Sequence, residues 1–238
     1  MQARKPGWGR FTLQFFTVVL AYVVAAAPPI LIWGETGTGL LGSVVSSVSG
    51  ALLVVWFWLR ADGTGMRAVD LSLPQSWPRA LLIASGAAIA ILLWFQIGGT
   101  LVRAAGFAPV DPGEVIQYVT QSPASLVLWV VLVAWFAAGF GEEVLWRGFL
   151  LDRLMHLPGI AGRAGPAIII QAILFGLPHM YQGGGGVIVT SVIGLFLGWL
   201  RIRTGGNLWP LIIAHAAVDT VMMGLAYAGA AGWITLSS

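Results

Sequence analysis

Gly139-Phe140-Gly141-Glu142-Glu143-Val144-Leu145-Trp146-Arg147-Gly148-Phe149-Leu150 sets two adjacent carboxylates and an arginine in the middle of a strongly apolar run. The whole chain has only 12 basic and nine acidic residues in 238, so three within one such stretch carry weight. Ionised groups in hydrocarbon cost several kcal/mol each, and they read by default as functional groups with partners to be named. Glu143 and Arg147 are four apart, in the favourable order for an ion pair on one helical face. That pairing leaves Glu142 without a partner, and the rest of the chain has to supply one.

Working outward, the hydrophobic fraction is 58% and the mean hydropathy +0.88, which excludes an ordinary soluble domain. Apolar runs of about 20 residues, enough to cross a hydrocarbon core of roughly 30 Å, recur along the chain. Alternating ten-residue segments of a transmembrane barrel are missing. There is no cysteine, hence no disulfide, thiolate nucleophile or cysteine metal site. The pI near 9.8 does not point to nucleic acid, because the basic residues are scattered at segment ends, as topology signals are.

Taken in order, residues 11–33, 40–59, 80–101, 124–155, 167–180, 187–200 and 208–236 form apolar segments. The first follows Arg4, Lys5 and Arg10 and is long for a cleaved signal peptide, so it reads as a retained span. Trp56 and Trp58 suit an interfacial belt. Residues 60–78 read as a polar connection, Pro112-Gly113-Glu114 as the start of a short interfacial helix, and Gly183–Gly186 as a flexible linker. No Lys-Ser/Thr follows those glycines, so they are no phosphate loop. The 124–155 stretch is one helix or two joined at Gly139/Gly141, and the last segment is long enough to break near Gly229. Gly194-x-x-x-Gly198 permits close helix contact. The expected fold is all-α, a polytopic transmembrane bundle of about seven or eight spans, organised as one integrated membrane domain. Residues 1–122 would supply three N-terminal spans and 123–238 the core that carries the motifs.

With the N-terminus in the cytoplasm, the loops on that side hold Arg4, Lys5, Arg10, Arg60, Arg67, Arg79, Arg153, Arg163, Arg201 and Arg203, and the other side holds Arg103 alone. This positive-inside bias sets the expected orientation. The expected location is a prokaryotic inner membrane.

Three further ionisable residues lie in apolar segments: His179, His215 and Asp219. His215 and Asp219 are four apart and share a helical face. Groups from three segments are buried most cheaply facing one another. A glutamate shielded from bulk water can act as a general base, a histidine can orient the same water, and hydrogen-bond donors can hold a developing oxyanion. The parts suit amide hydrolysis by an activated water.

Glu142-Glu143-x-x-x-Arg147, Phe175-x-x-x-His179 and His215-x-x-x-Asp219 resemble, in order and spacing, the three motifs of the CPBP family of CAAX-type intramembrane glutamic endopeptidases, also called the ABI family. The resemblance covers roughly residues 123–225. It implies Glu142 as the catalytic glutamate, His179 as its partner on the attacking water, His215 and Asp219 as the oxyanion pair, and Glu143 with Arg147 as a structural ion pair. Phe175 supports the second motif. The last family position is commonly asparagine. An ionised Asp219 only accepts hydrogen bonds, so it is expected to be protonated or to orient His215 as an acceptor. No cofactor is implied. The implied partners are the bilayer and a membrane-associated peptide or protein substrate.

Each residue also has a bland reading: a buried ion pair for Glu143 and Arg147, an interfacial histidine for His179, a helix-gluing pair for His215 and Asp219. Only together do they require coincidence. Competing functions are a non-enzymatic scaffold of the same fold, a proton-coupled transporter, and a zinc peptidase built on Glu142, His179 and His215. Those three are adequate zinc ligands, although His-Glu-x-x-His is missing, and no inverted repeat supports transport. Depth is an obstacle for every reading. His179 lies roughly 18 Å into its segment and His215 roughly 10 Å from the same side, so straight spans do not bring them level. A broken fifth segment, or a cavity set at an angle, would reconcile them.

Overall fold

The computed structural model describes residues 7–64 and 68–235, without the side chain of Glu114. Arg4, Lys5 and Arg67 of the charge count, and the expected segment end at Leu236, lie outside the described residues. The described chain is helical, with one isolated bridge between Asp70 and Asn207.

Among the described residues eight helices follow one another: α1 (Trp8–Trp33), α2 (Gly37–Ala61), α3 (Trp77–Ala104), α4 (Gly113–Val119), α5 (Pro123–Met155), α6 (Ala164–Gly176), α7 (Gly183–Arg203) and α8 (Trp209–Ala230). Side-chain oxygens of Thr36, Ser76 and Ser122 cap α2, α3 and α5 by accepting the N–H three residues on, which satisfies an orphan donor at each start. Among the described residues six helical stretches are long and apolar enough to cross a membrane, the fifth being Ala164–Arg203 as a whole. That stretch doubles back through a 3-10 turn at Leu177–Gln182. A Cβ on Gly194 would lie 2.9 Å from Ala172 Cα, and one on Gly198 2.9 Å from Gln171 Oε1. The Gly194/Gly198 spacing thus marks the antiparallel contact of α6 with α7, and the chain passes between the two ends of the bundle seven times.

Two expectations change. Gly183–Gly186 opens α7 and is no linker. Gly183 takes a positive φ of 82° at the turn, and a Cβ on Gly185 would meet Ala108 O at 2.4 Å. Glycine costs a helix about 1 kcal/mol per residue relative to alanine, and here close packing against residues 107–109 outweighs it. The 60–78 connection is partly internal: Ala68 and Val69 are buried beneath α5, with Leu208 N–H bonded to Asp70 O at 2.9 Å. The α5 stretch is one continuous helix without a joint at Gly139/Gly141. Its middle, Val130–Leu150, is wound as a π-helix in which Leu151 N–H reaches back to Trp146 O.

At the end of the bundle where the chain starts, Asp62 gathers three partners. Arg10 Nε donates to its Oδ1 at 2.6 Å, Gln14 Nε2 to Oδ2 at 2.6 Å, and Arg153 Nη2 lies 3.4 Å from Oδ2. Asp62, Gln14 and Arg153 are all buried. This knot ties α1 and α2 to the end of α5. Hydrogen bonds to charged groups contribute about 1.5–3 kcal/mol each, so Asp62→Ala is expected to lower the thermal midpoint in detergent by an amount equivalent to about 2 kcal/mol. An unchanged midpoint would show that the knot does not hold α1.

Candidate active site

Glycine brings the site together. A Cβ on Gly139 would lie 2.7 Å from Ala216 Cβ, and one on Gly141 2.3 Å from Val48 Cγ1. With no side chain at either place, α5 touches both α8 and α2, and its carboxylates come within reach of His215. A methyl at 139 meets the rigid Ala216, which cannot swing away. Gly139→Ala is therefore expected to push α8 off and slow any reaction at the site by the order of tenfold, read as kcat on protein of normal elution volume.

Glu143 and Arg147 pair as the spacing predicts, with Arg147 Nη1 donating to Glu143 Oε1 at 3.0 Å and both side chains fully buried. The sequence does not reveal that the same Oε1 also holds His215, whose Nδ1 lies 2.8 Å away. A carboxylate only accepts, so Nδ1 carries the proton and Nε2 turns to the cavity. Asp219 Oδ2 stands 3.9 Å from Nε2, beyond hydrogen-bond distance, and on the cavity side of the ring. The acceptor that fixes His215 is thus Glu143 rather than Asp219.

Phe175, fully buried, is the hub. The Arg147 guanidinium lies 3.9 Å from its ring centroid, the His179 ring 5.2 Å and the His215 ring 6.5 Å. The depth mismatch is resolved at Gly176, where α6 gives way to the 3-10 turn. His179 folds back from that turn with Nδ1 3.1 Å from Phe175 O. The carbonyl accepts, so this ring also presents Nε2 outward.

Two cavities flank the cluster. The larger, about 650 Å³, is lined by Glu142, His179, His215 and Asp219 and rises to Arg103, Pro109 and Ile116. The smaller, about 300 Å³, is apolar and lies between α1, α5 and α6, walled by Phe15, Val19, Leu145 and Phe149. Glu142, His179, Phe175, Pro178 and Tyr22 line both, forming the waist between them. Glu142 accepts no hydrogen bond from the described residues and is half-buried. Tyr22 joins the site without belonging to any of the motifs. Its one sequence signal is a phenol near the middle of a span, whereas tyrosine belongs at span ends. Among the described residues no three of His, Asp and Glu are grouped to hold a metal ion.

Residues 124–221, which carry every motif residue of the cluster, match the family model described as type II CAAX prenyl endopeptidase Rce1-like. They are a CPBP-family region. At the family level the match supports a CAAX-type intramembrane protease, and the chain is an integral multi-pass membrane protein. No curated protein and no solved structure matches the chain. The CPBP region supplies α5 to α8, while α1, which walls the smaller cavity, lies outside it.

Proposed function

We propose that the chain is an intramembrane endopeptidase that hydrolyses a peptide bond of a membrane-associated substrate with a water activated by Glu142 and His179. One observation carries this reading: an unpaired carboxylate and an imidazole Nε2 face the same waist between two cavities. A peptide threaded through that waist presents its carbonyl to both.

Water held between Glu142 and His179 Nε2 attacks the carbonyl carbon, and Glu142 takes the proton. The carbonyl oxygen becomes an oxyanion. His215 donates to it through Nε2 in its imidazolium form, for which Glu143 is the counter-ion behind the ring. The C–N bond then breaks, and the proton on Glu142 passes to the leaving amine. Asp219 stands on the cavity side of the His215 ring, too far to bond Nε2 in the resting enzyme, and while ionised it gives the oxyanion nothing. Glu143 and Arg147 hold the frame. The apolar cavity suits an apolar side chain or a lipid anchor on the substrate. No cofactor enters this scheme. Residues 1–122 complete both cavities and 123–238 carry the chemistry. The protein sits in a prokaryotic inner membrane with its N-terminus in the cytoplasm.

The test is cleavage of a quenched peptide library by detergent-purified protein, wild type beside Glu142→Gln, with and without chelator. Cleavage that is lost in the variant and indifferent to chelator supports the glutamate mechanism. Cleavage abolished by chelator replaces it with zinc, and a folded wild type that cleaves nothing moves the assignment to a scaffold.

A further inference from the structure

The two ends of the bundle differ in charge and in packing. Arg10, Arg60, Arg79, Arg153, Arg163, Arg201 and Arg203 lie at or near the turns of one end, and Arg103 is the lone basic residue described at the other. The positive-inside rule assigns the arginine-rich end to the cytoplasm. That end is packed shut. Leu150, Leu151, Leu154, Leu157 and Ile160 form one buried cluster there, and Val69 closes on Gly148 beside it.

The large cavity runs the other way. From Glu142 and His215 it rises to exposed Arg103 and Pro109, and to Ile116 on α4. Arg103 closes the last turn of α3, and Pro109 and Ile116 belong to the connection between α3 and α5. Asp111 N–H is bonded to Gln182 O in the turn before α7, and the Tyr118 hydroxyl to Glu35 O in the turn between α1 and α2, so all three turns share one end.

We propose that the cavity opens on the face of the membrane away from the cytoplasm and takes membrane-anchored proteins whose cleaved segment has already been translocated. The substrate class rests on the endopeptidase reading above; the sidedness does not. A cytoplasmic peptide meets the packed end. A translocated segment held close to the bilayer by a lipid or a transmembrane anchor enters past Arg103, the one arginine or lysine among the described residues lining the cavity, which is placed to meet an acidic group or C-terminal carboxylate of the peptide.

The chain has no native cysteine, so single cysteines report without background. Ile116→Cys marks the mouth and Ala161→Cys the opposite end; both sites are exposed and lie outside the catalytic cluster. In intact bacterial spheroplasts a membrane-impermeant maleimide is expected to label Ile116→Cys at once and Ala161→Cys only after lysis. The reverse pattern overturns the proposal, as does labelling of both before lysis. A second measurement reads the substrate side. In sealed right-side-out vesicles, a library peptide cleaved by the purified enzyme should be cleaved when added outside, whereas cleavage only after permeabilisation counts against the proposal. Failure of the purified wild type to cleave strikes the endopeptidase reading and leaves the labelling result standing.

Discussion

Glu142→Gln is expected to lower kcat by about 10²–10⁴-fold, the usual contribution of a positioned general base, while leaving the fold intact or slightly more stable. The glutamine keeps the shape and removes the base. Glu142 accepts no hydrogen bond from the described residues and faces two cavities, one of them apolar. A carboxylate so placed is a cost to the folded state, and functional positions are where a protein tolerates such a cost. Removing the charge therefore relieves the fold as it stops the reaction. Thermal unfolding in detergent beside single-turnover kinetics separates the two effects. A midpoint that falls together with kcat would mean that Glu142 is part of the frame.

Glu143→Ala is expected to act in the opposite sense, destabilising by about 3–5 kcal/mol because it leaves a buried guanidinium unpaired. Arg147 is fully buried, and no described residue hydrogen-bonds to its Nε or Nη2. The same change frees His215 Nδ1 from its only hydrogen-bond acceptor among the described residues, so activity should fall with stability. The double variant Glu143→Leu/Arg147→Met distinguishes the two losses. Replacing a buried ion pair with apolar side chains of similar volume is often neutral, so the double variant should recover most of the midpoint. It has no acceptor for His215 and should stay inactive. Recovery of both would reduce Glu143 to a structural residue.

The spans and the polar cluster were legible in the sequence because both are written in composition. Charges are rare in this chain, and those inside apolar runs stand out. The motif spacing also gave the Glu143–Arg147 pair, which is local to one helix. The link from Glu143 to His215 was hidden, since it joins residues on different helices and depends on how closely α5 approaches α8 at Gly139 and Ala216. The four-residue spacing sets His215 and Asp219 on one helical face, yet the nearer acceptor for His215 comes from another helix. Tyr22 was hidden for another reason. It lies in a helix whose exposed apolar surface marks it as lipid-facing, and only the position of α1 beside the core makes that tyrosine part of the waist. The glycines at 183–186 read as a linker because a glycine run looks alike whether it loosens a chain or lets two backbones touch.

The shared carboxylate of Glu143 has a consequence for how such a protein can lose its activity over evolutionary time. Glu142 can be exchanged without loosening a helix, and the exchange relieves the fold of an unpaired carboxylate. Glu143 cannot, because Arg147 and His215 both depend on it. A lineage drifting from enzyme to inert membrane scaffold should therefore shed the first glutamate of the pair and keep the second with its arginine. A relative with Glu142 replaced and Glu143 intact would be a fossil of catalysis, its frame outlasting the reaction for which it was assembled.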